Sequence, residues 1–290
     1  MLLDAGLFNV GAGIVGVVIK NINFDAGGTG AADYCIKSSE ATSDNWALVD
    51  CTFQDALYVA GVSLGGDLWK FTNCEFTGNK DGFFAENNDA DQCVFQSCNF
   101  HDNNQHGAVL EYGNGTINNC LFTNNGGIGL KVDGAMTNEV ISNNTFYGNT
   151  GDNISIIATA NNVTMTNNTS SGSVGGYGYN FNSGAVFNTF IFKNNHAYDN
   201  NAGDADATDI TGTLAEFMAL GCGSNIGGDP LFDPTTATTT TYIPKSTSPP
   251  SPLIDAGVGG TGDTIGALCA TAGGGGGVTG VSKARVFGAI

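Results

Sequence analysis

Residues 95–100 read FQSCNF, residues 117–122 read INNCLF, and residues 141–146 read ISNNTF, so one phrase recurs at intervals of 22 and 24 residues. The same phrase, with its polar middle and its last residue in a fixed place, ends elsewhere in the chain at Phe24, Phe53, Phe76, Ser170 and Ala197. A period near 24 residues that persists over most of a chain indicates a stacked solenoid.

Apolar and polar residues alternate inside each phrase, as at Trp69 and Phe71 before Phe76. Such a period of two predicts a strand with one buried face. A second short alternation follows each phrase, for example at Ile128, Leu130 and Val132. A coil of about 24 residues buries its apolar face only when neighbouring coils stack on it. We therefore predict an all-β parallel solenoid of about eight rungs, with Gly, Asn and Asp in its turns.

The position two residues before the end of each phrase changes from cysteine to asparagine along the chain. We predict that these side chains form one inward structural ladder, made of Cys51, Cys74, Cys98, Cys120, Asn144, Asn168 and Asn195. Stacked asparagines can satisfy one another's buried amides, and the cysteines would act as small buried hydrophobes. A tetrahedral metal site is disfavoured because a column does not converge on one point. Disulfides between rungs fit the Cα spacing, but parallel side chains disfavour them.

The iterated phrase resembles the right-handed parallel β-helix proteins of the pectate-lyase-like superfamily over roughly residues 14–200. DPLF at 229–232, followed by SPLIDAG at 251–257, is similar to the C-terminal cap of secreted bacterial β-helix proteins. The resemblance concerns architecture and not activity. The resemblance implies a right-handed parallel β-helix at 1–212 and a cap at 213–270, and the glycine-rich composition indicates a linker with a terminal peptide at 271–290.

The charge balance restricts the partners. Acidic residues outnumber basic ones 27 to 9, and Arg285 is the single arginine. This balance opposes binding to nucleic acid, which depends on clustered lysine and arginine. The sequence contains no stretch of about 20 apolar residues, so it predicts no membrane span.

The N-terminus has no recognisable signal peptide. Repeat-like sequence begins almost at Met1, and solenoids need caps, so we expect the natural start to lie upstream. An extracellular or cell-surface location is an expectation from the resemblance.

One outward column has the residue types of an enzyme. Alignment of the segments that begin at Phe83, Ala108 and Ile128 predicts that Glu86, Glu111 and Lys131 are neighbours on successive rungs. Two carboxylates one rung apart approach the ~5 Å separation of retaining glycosidases, and Lys131 or His106 could serve as a base. The other interpretation is that outward residues of a solenoid are simply polar, with Glu111 and Lys131 forming an ordinary ion pair. The polygalacturonase-like motif set is absent and no arginine lies in the repeats, but a lysine-based lyase that uses Lys70, Lys80 or Lys131 remains an alternative.

Two further kinds of site are predicted. Calcium takes six to eight oxygen ligands, and either of two acidic turns offers them: Asp199, Asp204, Asp206 and Asp209, or Asp81, Glu86, Asp89 and Asp91. A solvated acidic loop is the alternative, so the cofactor is either none or Ca²⁺. Substrate contacts are expected at Tyr112 and His106, and other tyrosines that could stack on sugars are Tyr147, Tyr177, Tyr179 and Tyr198.

Two function classes remain. The first is an extracellular structural or adhesive module of a cell-surface, filament or phage-appendage protein, with polysaccharide or copies of itself as partners. In this class, residues 278–290 are an attachment peptide, although a disordered end is the alternative. The second class is a carbohydrate-active enzyme, a polysaccharide lyase or glycoside hydrolase, that uses the acidic face.

Overall fold

The computed structural model describes residues 6–11, 13–27, 34–38, 44–57, 60–64, 66–85, 92–111, 113–181, 187–193, 195–206 and 226–227. These residues form strands and no helix, and they therefore contain no helix able to cross a membrane. The predicted attachment peptide and most of the predicted cap lie outside the described residues.

Every strand pairs in parallel with the equivalent strand of the neighbouring coil, and the strands make three sheets. The first sheet contains β1 (Gly6–Val10), β4 (Tyr34–Ser38), β7 (Ala60–Leu64), β10 (Asp81–Ala85), β13 (Ala108–Leu110), β16 (Leu130–Val132), β20 (Ile154–Ile156), β23 (Tyr177–Phe181) and β26 (Gly203–Asp206). The second contains β2 (Val18–Lys20), β5 (Ala47–Val49), β8 (Lys70–Thr72), β11 (Val94–Gln96), β14 (Thr116–Asn118), β17 (Met136–Thr137), β18 (Val140–Ser142), β21 (Ala160–Thr166) and β24 (Phe187–Lys193).

The third sheet carries the ends of the repeated phrases. It contains β3 (Asn23–Asp25), β6 (Thr52–Gln54), β9 (Glu75–Thr77), β12 (Asn99–His101), β15 (Leu121–Thr123), β19 (Thr145–Tyr147), β22 (Thr169–Ser171), β25 (His196–Tyr198) and β27 (Ile226–Gly227). The predicted all-β parallel solenoid is confirmed, with nine strands in the first and third sheets rather than about eight rungs. The pairing of β27 with β25 extends the third sheet into the segment predicted as the cap.

The corners that flank the third sheet explain the Asn and Asp content of the phrases. Asn73, Asn119 and Asn143 turn the chain from the second sheet into the third with φ of 55°, 58° and 57°. Asp102 and Asn124 do the same after the third sheet, with φ of 53° and 54°. Asn and Asp adopt this left-handed conformation more readily than other non-glycine residues, since their short polar side chains can hydrogen-bond locally.

A stack of phenylalanines fills the interior. Neighbouring rings lie 4.5–4.9 Å apart between centroids from Phe53 to Phe146, and each of these rings is fully buried. Ring centroids follow the strand spacing because equivalent residues of parallel strands stack directly. The register pairs Phe100 with both Phe76 and Phe122.

The cysteine and asparagine positions form one inward column beside this stack, at the corner between the second and third sheets. Cys98 N donates to Cys120 Sγ at 3.4 Å, and Cys120 N donates to Asn144 Oδ1 at 2.8 Å. The column continues because Asn144 Nδ2 donates to Asn168 Oδ1, and Asn168 Nδ2 donates to Asn195 Oδ1, each at 3.0 Å. All seven residues are buried. Every backbone N–H that turns inward from Cys98 to Asn168 thus has a side-chain acceptor one rung further on.

A second interior ladder, which the sequence analysis missed, occupies the corner after the third sheet. Asn79 Nδ2 donates to Asn103 Oδ1 at 3.2 Å, and Asn103 and Asn125 each donate to the next asparagine at 2.9 Å. The ladder comprises Asn79, Asn103, Asn125 and Asn149, each three residues after the phenylalanine that ends a phrase. Counting forward from the phenylalanines, as well as backward, would have found it.

Candidate functional site

The predicted column of Glu86, Glu111 and Lys131 is wrong at Lys131. The first sheet pairs Val109 with Lys131 and Leu110 with Val132, so Lys131 lies two residues out of the predicted register with Glu111. Lys131 Nζ is instead 2.6 Å from Asp133 Oδ2. The alignment failed because it took Ile128 as the first residue of the strand, whereas β16 begins at Leu130. Glu86 lies outside the described residues, and Glu111 directly follows β13.

Lys131 contacts Asp133, and its charge also acts on Asp81 and His106. His106 N donates to Asp81 Oδ1 at 2.9 Å, and Ile128 N donates to His106 Nδ1 at 2.9 Å. Asp81 begins β10, and His106 occupies the equivalent place one rung later. Side chains at this corner therefore accept hydrogen bonds from the backbone of the following rung. We call Asp81, His106, Lys131 and Asp133 the flank cluster.

Burial perturbs both titratable members of the Asp81–His106 pair. Asp81 is only 7% exposed, and this burial raises its pKa despite the hydrogen bond from His106 and the nearby positive charges of Lys80 and Lys131. Burial also lowers the pKa of His106, although Asp81 and Asp133 act in the opposite direction. The raised pKa of Asp81 favours its protonated carboxyl, and the lowered pKa of His106 favours its neutral imidazole. The Nδ1 of that imidazole already accepts a hydrogen bond.

The predicted calcium ligands are divided between described and other parts of the chain. Asp199 is exposed with φ of 54°, and Asp204 and Asp206 belong to β26. Asp209 and three members of the alternative acidic turn lie outside the described ranges. Within those ranges, no three His, Cys, Asp or Glu side chains converge as a metal site requires. The calcium site stays a prediction.

The alternation of side chains along each strand decides which of the predicted tyrosines face inward and which face outward. Tyr179 is 1% exposed, with its hydroxyl 3.0 Å from the Asn168 carbonyl oxygen, so the prediction that it stacks on sugars is wrong. Its place in β23 is inward because it pairs with the buried Ile154. Tyr147 and Tyr198 are half-buried and share an outward column of the third sheet, on either side of Ser171. Tyr112 lies outside the described residues.

Phe84 is an outward aromatic residue that the sequence analysis missed. It is half-buried in β10, two rungs before Lys131 in the same column, with Val109 between them. The two consecutive phenylalanines of DGFFA were the available signal, because neighbouring residues of a strand face opposite sides.

A buried carboxylate also lies inside the solenoid. Glu139 takes the inward position that Trp69 and Cys93 hold on earlier rungs, and it is 2% exposed. Its Oε2 accepts a hydrogen bond from Gly115 N at 2.6 Å. A side chain at residue 115 would meet the Cys93 carbonyl oxygen at 2.0 Å, so only glycine fits above the carboxylate. Glu139 is thus part of the interior and not of the flank.

The third sheet holds a histidine between two carboxylates, which is a further group missed from the sequence. His101 Nε2 is 2.8 Å from Glu75 Oε1, and His101 Nδ1 is 2.7 Å from Asp102 Oδ2. Glu75 lies diagonally across one rung, since His101 itself pairs with Thr77. Burial lowers the pKa of His101, but the two carboxylates outweigh it and raise the pKa overall. The hydrogen bond and charge of His101 lower the pKa of Glu75, although burial opposes them.

We expect the stability of the rod to depend on pH through this group. The raised pKa of His101 contributes stability that is present below its ordinary value of 6.5 and is lost as the pH rises through the folded-state pKa. The lowered pKa of Glu75 contributes stability that is present above its ordinary value of 4.5 and is lost as the pH falls through the folded-state pKa. Both contributions are therefore complete between about pH 4.5 and 6.5.

Denaturant unfolding at several pH values would measure this dependence. His101→Gln should reduce the loss of unfolding free energy between pH 6 and 8, whereas His106→Gln should leave that loss in place. An unchanged pH profile in His101→Gln would contradict the assignment.

Comparison with known proteins agrees with this architecture. The family described as "Right handed beta helix region" matches residues 55–213, which is more than half of the chain. A solved structure, "Crystal structure of pectate lyase Pel9A", is similar with a TM-score of 0.50 and 15% sequence identity, covering 79% of this chain and 74% of that chain. At this identity the likeness shows the fold alone. No curated protein matches the sequence.

Proposed function

The chain belongs to the right-handed β-helix family, and from this premise we propose that it is a structural or adhesive module of an extracellular assembly. A cell surface, a filament or a phage appendage would use such a module. The observation that carries the proposal is the pair of interior ladders, which continue from rung to rung with their amides and thiols hydrogen-bonded. Where both ladders are present, neighbouring rungs are bonded along two corners as well as three sheets, which suits a stiff spacer.

The placement of the charged residues supports the same proposal. Lys131 is paired with Asp133 and lies out of register with Glu111, so the column proposed as catalytic is divided. His101 has both ring nitrogens occupied by carboxylates and therefore has no nitrogen left to act as a base.

We also propose three contacts for such a module: a glycan, Ca²⁺ and a neighbouring copy or anchor. Half-buried Tyr147, Tyr198 and Phe84 present ring surface that could stack on a neutral glycan. Ca²⁺ would bind the acidic segment that contains Asp199, Asp204, Asp206 and Asp209. Residues 278–290 would attach the rod to a neighbouring copy or an anchor.

Electron microscopy of the full chain and of a chain without residues 278–290 tests the proposal. We expect ordered polymers from the full chain and dispersed rods from the shortened one. Polymers that survive the deletion would contradict the attachment peptide, and a full chain that stays monomeric at high concentration would contradict the assembly role. Circular dichroism of both chains is the control for folding.

A carbohydrate-active enzyme is the second candidate, favoured by the flank cluster. Asp81 has a raised pKa, as a general acid requires, and it lies beside His106 and near Lys131. Incubation with neutral and acidic polysaccharides, followed by assays for reducing ends and unsaturated products, would detect turnover.

Matched substitutions distinguish turnover by this chain from turnover by a contaminating enzyme. If the chain is an enzyme, Asp81→Asn should lower the turnover rate at least about a hundredfold, whereas Asp50→Asn should leave the rate unchanged. Asp50 is a suitable control because it lies at another corner with φ of 54°, which asparagine also adopts. Equal turnover in both variants would rule out Asp81 as the acid, and no turnover in the unaltered chain favours the structural role.

A further inference from the structure

We infer that the column of Cys51, Cys74, Cys98 and Cys120 is a binding site for soft monovalent metal ions such as Cu(I) and Ag(I). All four thiols are free, and none of these residues is more than 2% exposed. They occupy the same inward position on four successive rungs, because the strands that flank each of them pair in register.

The spacing of the thiols matches two-coordinate binding. Parallel rungs are about 4.8 Å apart, and a linear sulfur–metal–sulfur unit with bonds near the ~2.3 Å of zinc thiolates spans about 4.6 Å. A metal that prefers two opposed sulfur ligands therefore fits between neighbouring rungs. A tetrahedral metal does not fit, because no third donor converges on the column among the described residues.

The surroundings of the thiols are suited to soft ions. Cys74 Sγ lies 3.4 Å from the Leu48 carbonyl oxygen, and Cys98 Sγ lies 3.5 Å from that of Phe71. These S–H donations are weak and exchangeable. The stacked Phe53, Phe76 and Phe100 form the neighbouring column of the interior. Soft thiolate ligands in an apolar site select Cu(I) over harder ions.

Charge and protons balance in a neutral complex. One thiol loses its proton to become a thiolate and the neighbouring thiol keeps its proton, so M⁺ + 2 RSH gives RS–M–S(H)R + H⁺. The product carries no net charge, which avoids the cost of burying an ion. Burial, followed by the hydrogen bond with Cys120, raises the pKa of the Cys98 thiol although Cys74 acts in the opposite direction, so a metal ion bound there must displace a proton rather than find a thiolate. With two thiols for each ion, four thiols accept about two ions.

The test is a titration with silver nitrate in chloride-free buffer. The tested chain has Cys35, Cys93, Cys222 and Cys269 changed to serine, which leaves only the column. The control chain has all eight cysteines changed to serine. We expect native mass spectrometry to find about two Ag⁺ on the first chain and none on the control, with about one proton released for each ion.

Several outcomes would overturn the inference. They are equal Ag⁺ binding by the two chains, binding accompanied by loss of the β-sheet circular dichroism, and Zn²⁺ binding as tight as that of Ag⁺. If the control chain does not fold, Cys74→Ser and Cys120→Ser in the four-thiol chain replace it. Each should then lower the number of bound ions by about one, and unchanged binding in both would sink the proposal.

Discussion

Replacing Asn168 by alanine is expected to lower the free energy of unfolding by about 4 kcal/mol, since several buried polar groups lose their partners together. Asn168 Oδ1 accepts hydrogen bonds from both the backbone N and the Nδ2 of Asn144, each at 3.0 Å. Its Nδ2 donates to the Ile141 carbonyl oxygen at 2.9 Å and to Asn195 Oδ1 at 3.0 Å. The residue is fully buried, so water does not replace these bonds. Denaturant unfolding followed by circular dichroism measures the change.

Asn168→Cys is the informative companion variant. Cysteine occupies the same ladder position on four earlier rungs, where Cys120 Sγ accepts the backbone N–H of Cys98 and the Cys98 thiol faces the Phe71 carbonyl oxygen. We therefore expect a smaller loss than with alanine, of about 2 kcal/mol. A loss below about 1 kcal/mol in the alanine variant would show that the ladder does not hold the rungs together.

Phe122→Ala is expected to lower the free energy of unfolding by about 3–5 kcal/mol, the usual cost of truncating a buried phenylalanine. Phe122 is fully buried, and its ring stacks on Phe100 at 4.6 Å and on Phe146 at 4.8 Å. The truncation would leave a gap between two rings that the rigid strand spacing prevents from closing.

Phe84→Ala provides the matched control for this prediction. It removes the same side chain from an outward, half-buried position, so the loss should stay below about 1 kcal/mol. Equal losses for Phe122→Ala and Phe84→Ala would contradict the assignment of inward and outward faces. Hydrogen exchange would locate the weakened rungs in the Phe122 variant.

The interior of this protein was predictable because inward residues repeat at the same place in each rung. Phe100, Phe122 and Phe146 end three phrases of identical length, and Cys98, Cys120 and Asn144 keep a fixed distance from them. The second ladder was equally available, since Asn103 and Asn125 follow those phenylalanines by a constant three residues. In a stack with one strand spacing, equal sequence offset means spatial contact.

The position of Lys131 shows where this reasoning failed. Leu130 follows Phe122 by eight residues, as Ala108 follows Phe100, and the two residues are register partners. Alignment by hydrophobicity chose Ile128 instead, because isoleucine resembles a strand residue more than the residues around it do. Phe83 follows Phe76 by only seven residues, so the turn between the sheets varies in length and a single offset does not align every rung.

By itself, the sequence determined the parallel solenoid, its period and the column that changes from cysteine to asparagine, because stacking forces equivalent inward residues into contact. Only the tertiary structure decided which charged residues meet on the surface. His101 reaches Glu75 diagonally across a rung, and Lys131 turns to Asp133 on its own rung. Outward side chains are not packed against the other sheets of the solenoid, so their partners depend on turn lengths and rotamers that the repeat does not encode.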